Sequence, residues 1–237
     1  MIQLSEIDTQ DASTLVCNHM ICKHCGVIDR DSERMRVGST CKTCDKVSNG
    51  GLLAFPINIH MLVDLVQQAY HSKPLVSQIY GAQSPAISTV LFFCALREVL
   101  INKFLEEHLL AKKMPKSYIQ ENLNDKTFLR KKFTTLFTST IGVKWDRAIE
   151  QASQQRNINF SSTSDFMQNA ADTRNKFLHR GHTFLITYEF ATDCVNTMPL
   201  VIELFVALHN LFTYPLLSKN TQSTTSKIKL LHQDSHK

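Results

Sequence analysis

Glycine and proline are scarce in this sequence, at seven and six residues in 237. An all-β chain of that length needs many tight turns, so the scarcity counts against that class and against collagen-like or linker-rich chains. A strong charge imbalance is missing too. The chain has 26 Lys+Arg and 21 Asp+Glu, a formal net charge of +5 and a pI near 8.8, which permits nucleic-acid binding without arguing for it. No basic segment precedes an apolar run at the N-terminus, where Glu6 and Asp8 are the first charges, so no signal peptide is expected. The two most apolar stretches are interrupted, 86–105 by Arg97, Glu98 and Lys103, and 198–217 by Pro199, Glu203, His209 and Pro215. We therefore expect no membrane span and a soluble, cytoplasmic protein. Apolar residues, by contrast, are plentiful at 43%, enough for a core in one large domain or a small plus a mid-sized one.

Seven cysteines in a reducing compartment are better explained by metal or burial than by disulfides. Five of them, Cys17, Cys22, Cys25, Cys41 and Cys44, crowd the first 44 residues. Cys22-x2-Cys25 and Cys41-x2-Cys44 stand fifteen residues apart. Each pair puts two thiolates on one tight turn, and two such knuckles close a tetrahedron around Zn²⁺. The pattern resembles a zinc ribbon over roughly residues 15–48, with a hairpin across 30–35, and its filled ligand set implies a structural ion. Cys17, His19 and His24 lie beside it at irregular spacing and read as bystanders or a substitute ligand. Such a ribbon recognises a protein or nucleic-acid partner, or braces the helical part of the chain.

Ser48-Asn49-Gly50-Gly51 reads as a hinge, dividing a ribbon with N-terminal extension (1–52) from a helical domain (57–215). Helices are expected at 59–72, 84–113, 116–124, 126–140, 143–155, 165–180 and 192–212. Ser84-Pro85 supplies an N-cap and first-turn pair, Pro115 a stop, and Gly142 and Gly181 sit where C-caps belong. The run Val90 to Leu96 is apolar nearly all round, which marks a buried central helix, and Cys94 within it reads as a small hydrophobe. Residues 216–237 are polar, low in complexity and read as a flexible tail with four positive charges and one negative.

One short element carries chemistry: Arg174-Asn175-Lys176-Phe177-Leu178-His179-Arg180-Gly181. Arg-x4-His alone is cheap. Requiring Asn directly after Arg lowers the chance expectation to about 0.02 matches for this composition. Phe166, Ala170, Phe177 and Leu178 should hold this helix on the core. Histidine can give or take a proton at neutral pH, and arginine can fork onto phosphate oxygens. Asn175 and His179 are i,i+4 and share a face, where Asn175 can orient the imidazole or an RNA. Arg174 and His179 are i,i+5, about 140° apart, so one protomer's site is incomplete. The same residues at a helix C-terminus also serve as macrodipole and capping groups.

An all-helical domain with Arg-Asn-x3-His near the end of a late helix resembles the HEPN family, over residues 57 to about 213. The resemblance implies a mostly α fold, a helical bundle preceded here by the small β-rich ribbon. It implies a metal-independent endoribonuclease of defence or toxin systems, with catalytic Arg174, Asn175 and His179 paired across a two-fold homodimer. Glu98, in Ala95-Leu96-Arg97-Glu98-Val99-Leu100, corresponds to the polar or acidic residue such proteins often carry on an early helix; it can equally pair with Arg97 or Asn102. The alternative is a non-catalytic dimeric scaffold that uses the ribbon to bind a partner. Lys126, Arg130, Lys131 and Lys132 form a basic cluster suited to a solvated face or an RNA backbone, and Arg180 and His182 flank the motif in the same way. Trp145 and Phe160 read as core rather than as base-stacking platforms.

Overall fold

The computed structural model describes residues 16, 19–29, 37–48, 52–72, 84–124, 131–182 and 185–212. Among them are seven α-helices and a three-stranded antiparallel sheet near the N-terminus. In the sheet, β1 (Met20–Ile21) lies between β2 (Ile28–Asp29) and β3 (Leu52–Leu53), with Met20 opposite Asp29 on one side and Leu53 on the other. The sheet thus continues past the expected hinge, whose residues 49–51 lie outside the described ones, as do the expected hairpin at 30–35 and tail at 216–237.

The helices are α1 (Ile57–His71), α2 (Ser84–Ala111), α3 (Lys116–Asn124), α4 (Phe137–Ile141), α5 (Trp145–Arg156), α6 (Phe160–Arg180) and α7 (Tyr188–Phe212). A five-residue π-helical segment, Lys132–Leu136, runs directly into α4. α2 and α7 form the centre of the bundle: α2 packs on α1 and α7, and α5 and α6 close over them. Phe93, Leu96, Ile101 and Leu105 of α2 and Met198, Ile202 and Leu204 of α7 are fully buried. Every residue from Val201 to Leu208 is buried, so this part of α7 is surrounded on all sides.

Gly142 and Gly181 adopt the left-handed conformation at φ 86° and 64° and end α4 and α6, as their positions predict. α6 starts five residues before the expected 165. Asn159 Oδ1 accepts from Ser161 N–H at 3.1 Å, and fully buried Phe160 anchors the first turn, two local signals stronger than the apolar spacing alone. α7 likewise starts at Tyr188 rather than 192, with Thr187 Oγ1 accepting from the N–H of Phe190.

Three side chains sit differently from expectation. Leu178 is 51% exposed, because the last turn of α6 overhangs the core that Phe166, Ala170 and Phe177 reach. Lys132 is buried at 4% and donates to Asn102 Oδ1 and Leu123 O, so it belongs to no solvated face. Lys131 is exposed, while Lys126 and Arg130 lie outside the described residues. α2 and α7, expected to be too charged to span a bilayer, are each long and apolar enough to do so by length and composition. Their most apolar windows are 56% and 67% buried within the bundle.

The sheet is hydrogen-bonded to α7. The Asn210 amide acts as a strand partner to Ile28, accepting from its N–H at 2.8 Å and donating to its C=O at 2.9 Å. His209 Nε2 donates to Gly26 O at 3.0 Å, and buried His19 meets Glu203 Oε1 at 3.1 Å from Nε2. Asn210→Leu leaves both backbone groups of Ile28 without that partner and should cost about 1–3 kcal/mol. Urea unfolding of the two proteins checks this, and equal midpoints would contradict it.

Candidate functional site

Two clusters concentrate chemistry. In the first, Cys22 and Cys41 are buried and Cys25 and Cys44 half-buried, with all four Sγ atoms within 4.8 Å of one another. Both knuckles are built alike. Gly26 N–H donates to Cys22 O and Asp45 N–H to Cys41 O, each at 2.8 Å, with Gly26 and Asp45 left-handed at φ 75° and 55°. Cys22 N–H and Cys41 N–H close the turns on Val27 O and Lys46 O.

Burial raises the Cys25 thiol well above its ordinary value, and burial likewise raises Cys44. At Cys41 burial also opposes ionisation, but the N–H groups of Thr43 and Cys44, with neighbouring thiols, outweigh it and bring the group to about 7. Four thiolates this close repel one another unless a cation joins them. A tetrahedral ion at about 2.3 Å from each sulfur sets sulfurs about 3.8 Å apart; Cys25 and Cys41 stand at 3.7 Å. The donor set and spacing fit a soft metal ion. His19, on Glu203, and His24, whose Nε2 donates to Val47 O at 3.2 Å, lie outside this four-sulfur group. Cys17 is outside the described residues.

The second cluster lies where α2 crosses α6. Arg174 Nη2 stands 3.7 Å from Glu98 Oε2, so the motif arginine and the early-helix acid are brought together. The Glu98 carboxylate thus meets a cation on another helix, while its charge also acts on neighbouring Arg97 and Asn102 is held by Lys132. Burial pushes the Cys94 thiol beneath them up, even with Arg174 and Arg97 beside it. Arg174 is half-buried, whereas Asn175, His179 and Arg180 are exposed and His182 half-buried. The i,i+5 offset is visible in the fold: Arg174 turns toward α2, while His179 stands on the overhanging last turn.

Asn175 also lines a cleft of about 460 Å³ between α2, α5 and α6. Arg97, only 4% exposed, lines it too, its guanidinium 4.4 Å from the Phe133 ring centroid and its Nη2 donating to Gln168 Oε1 at 3.3 Å. Gln168 Nε2 in turn donates to Asp172 at 3.0 Å. Burial draws Arg97 down to about 10, and its Nε has no acceptor among the described residues. Trp145 packs edge-on against Phe133 and Phe137 and donates from Nε1 to Ser164, so it is both core and cleft wall; Phe160 is core alone.

Arg97 and Glu203 are residues whose importance sequence reasoning misses. Glu203 is a lone charge within the apolar run Leu200 to Ala207, and Arg97, with Glu98 directly after it, breaks the run that begins at Val90. That pattern is itself a signal, since a charge kept inside a buried helix needs a partner or a task. Neither a protein-family model, nor a curated protein, nor a solved structure matches this chain.

Proposed function

We propose that this chain is a metal-independent endoribonuclease of the HEPN kind, with Arg174, Asn175, His179 and Glu98 at its site. The observation that carries the reading is the approach of Glu98 to Arg174, which joins two sequence-distant candidates at one helix crossing. At 3.7 Å the carboxylate orients the guanidinium while leaving it donors for a phosphate. In the reaction, one His179 takes the proton of a ribose 2′-hydroxyl. The 2′-oxygen bonds to phosphorus, the bond from phosphorus to the 5′-oxygen breaks, and that oxygen takes a proton from a second histidine. Arg174 meets the charge on the phosphorane.

A second histidine requires a second protomer. The exposed last turn of α6, with Leu178 beside His179, supports a two-fold pairing there. The protein should sediment as a dimer at micromolar concentration, and a mixed dimer of wild-type and His179→Ala chains, which keeps only one of the two histidines, should cut far more slowly than wild type. A monomer with full activity would contradict the shared site.

The four cysteines are assigned a structural Zn²⁺, Cys22, Cys25, Cys41 and Cys44 being its ligands, and the free thiols suit a reducing cytoplasm. A defence or growth-control role rests only on the family likeness. The competing reading, a non-cutting scaffold, is favoured by Leu52, Leu53, Ile57 and Met61, exposed apolar residues where the ribbon meets α1 and suited to a protein partner. Incubating wild type and His179→Ala with total RNA separates the two: loss of cutting in the variant supports the nuclease, and equal patterns support the scaffold.

A further inference from the structure

The cleft beside Asn175 combines groups that the cutting chemistry leaves unused. At its inner side is Arg97, a guanidinium 4% exposed that donates to Gln168 and keeps a buried Nε that no acceptor among the described residues meets. The Nε itself is enclosed, but the part of the guanidinium that lines the cleft offers N–H donors to an acceptor-bearing ligand. Around it stand three exposed carboxylates, Asp146, Asp165 and Asp172. They repel a phosphate or any other anion, so the acceptor must belong to a neutral ligand that also offers N–H donors. Phe133 and Trp145 add aromatic walls, and the volume of about 460 Å³ suits a nucleoside-sized molecule.

We propose that this cleft holds a guanine base of single-stranded RNA, next to the bond that the Arg174 site cuts. Guanine is the base with two adjacent acceptors, O6 and N7, for an arginine fork, and two adjacent donors, N1–H and the 2-amino group, for a carboxylate. Adenine, cytosine and uracil lack one or the other pair. Asn175 connects the two places, since it borders the cleft and belongs to the motif four residues before His179. Base capture is a property of the cleft; its role in choosing the cut rests on the nuclease reading above.

The chain has one tryptophan, and it is in the cleft wall. Titrating the full-length protein with guanosine should change Trp145 fluorescence saturably, with adenosine, cytidine and uridine at least about tenfold weaker. Asp146→Asn and Asp165→Asn alter exposed side chains and should still fold; at least one should weaken guanosine by about tenfold, while His179→Ala leaves binding unchanged. Equal response to all four nucleosides, no saturation, or saturation by a lysine-rich peptide instead of guanosine would overturn the proposal. Mapping cut sites separates it from the nuclease reading. Cuts clustered at guanosine support both, and cuts without base preference overturn the cleft's role and leave the nuclease standing. Guanosine binding without any RNA cleavage upholds the base site and overturns the nuclease.

Discussion

On the proposed zinc assignment, Cys41→Ser is expected to reduce bound zinc from one ion per chain to below about a tenth and to unfold residues 20–29 and 37–48. The reason is energetic. The sheet has only two-residue strands, and the thiolate cluster packs just four cysteines and Met20 together. Too little apolar area is buried there to offset ordering of the segment. A structural zinc site supplies about 10–16 kcal/mol of apparent binding energy, which in small domains is folding energy. The helical bundle should survive, because the core around α2 and α7 is built mostly of helical residues, with Val16, Ile28 and Phe55 its buried members from before α1. Hydrogen exchange checks both halves of the prediction: amides of 20–29 and 37–48 lose protection, and those of α2 and α7 keep it. A ribbon still protected in metal-free protein would contradict the assignment.

His179→Ala should lower RNA cleavage by about 10²–10⁴-fold, the range over which a positioned acid or base contributes. The side chain is exposed on the overhanging turn, so its loss should not disturb folding or the zinc content. Arg174→Ala should also abolish cutting but with a different accompaniment. It leaves Glu98 without its partner above the buried Cys94, so a modest fall in stability should accompany the catalytic loss. Glu98→Gln tests the orienting role: a fall in rate with dimerisation and unfolding midpoint unchanged supports it, and an unchanged rate contradicts it.

The parts of this fold legible in the sequence are those set by local chemistry. Two Cys-x2-Cys turns form because a left-handed residue after each pair lets the backbone fold back on the first cysteine, at Gly26 and at Asp45. Glycine C-caps end helices at 142 and 181 for the same reason. What the sequence hides is set by contacts between distant residues. Nothing in the spacing shows that Asn210 completes the Ile28 strand, 182 residues away, or that Glu203 receives His19. Leu178 has the periodicity of a core residue and is exposed, because periodicity reports a helix face and not where the neighbouring helix ends. Glu98 could have paired along its own helix with Asn102; instead Lys132 takes Asn102, and Glu98 turns to Arg174. The candidate residues could thus be named from the sequence, whereas their grouping, and the cleft with Arg97 in it, required the crossing of α2 over α6.

The central claim is that Arg174 and His179 cut RNA without a metal at the scissile phosphate. Its most direct test is the chemistry of the ends left by wild-type protein in mild EDTA, too weak to strip a four-cysteine zinc site quickly. The expected result is undiminished cutting that leaves a 2′,3′-cyclic phosphate on one fragment and a 5′-hydroxyl on the other. Activity that vanishes at once in EDTA, returns with Mg²⁺ or Mn²⁺ and leaves 5′-phosphates would contradict it and mean metal-assisted hydrolysis, with carboxylates such as Glu98, Asp165 and Asp172 as its ligands.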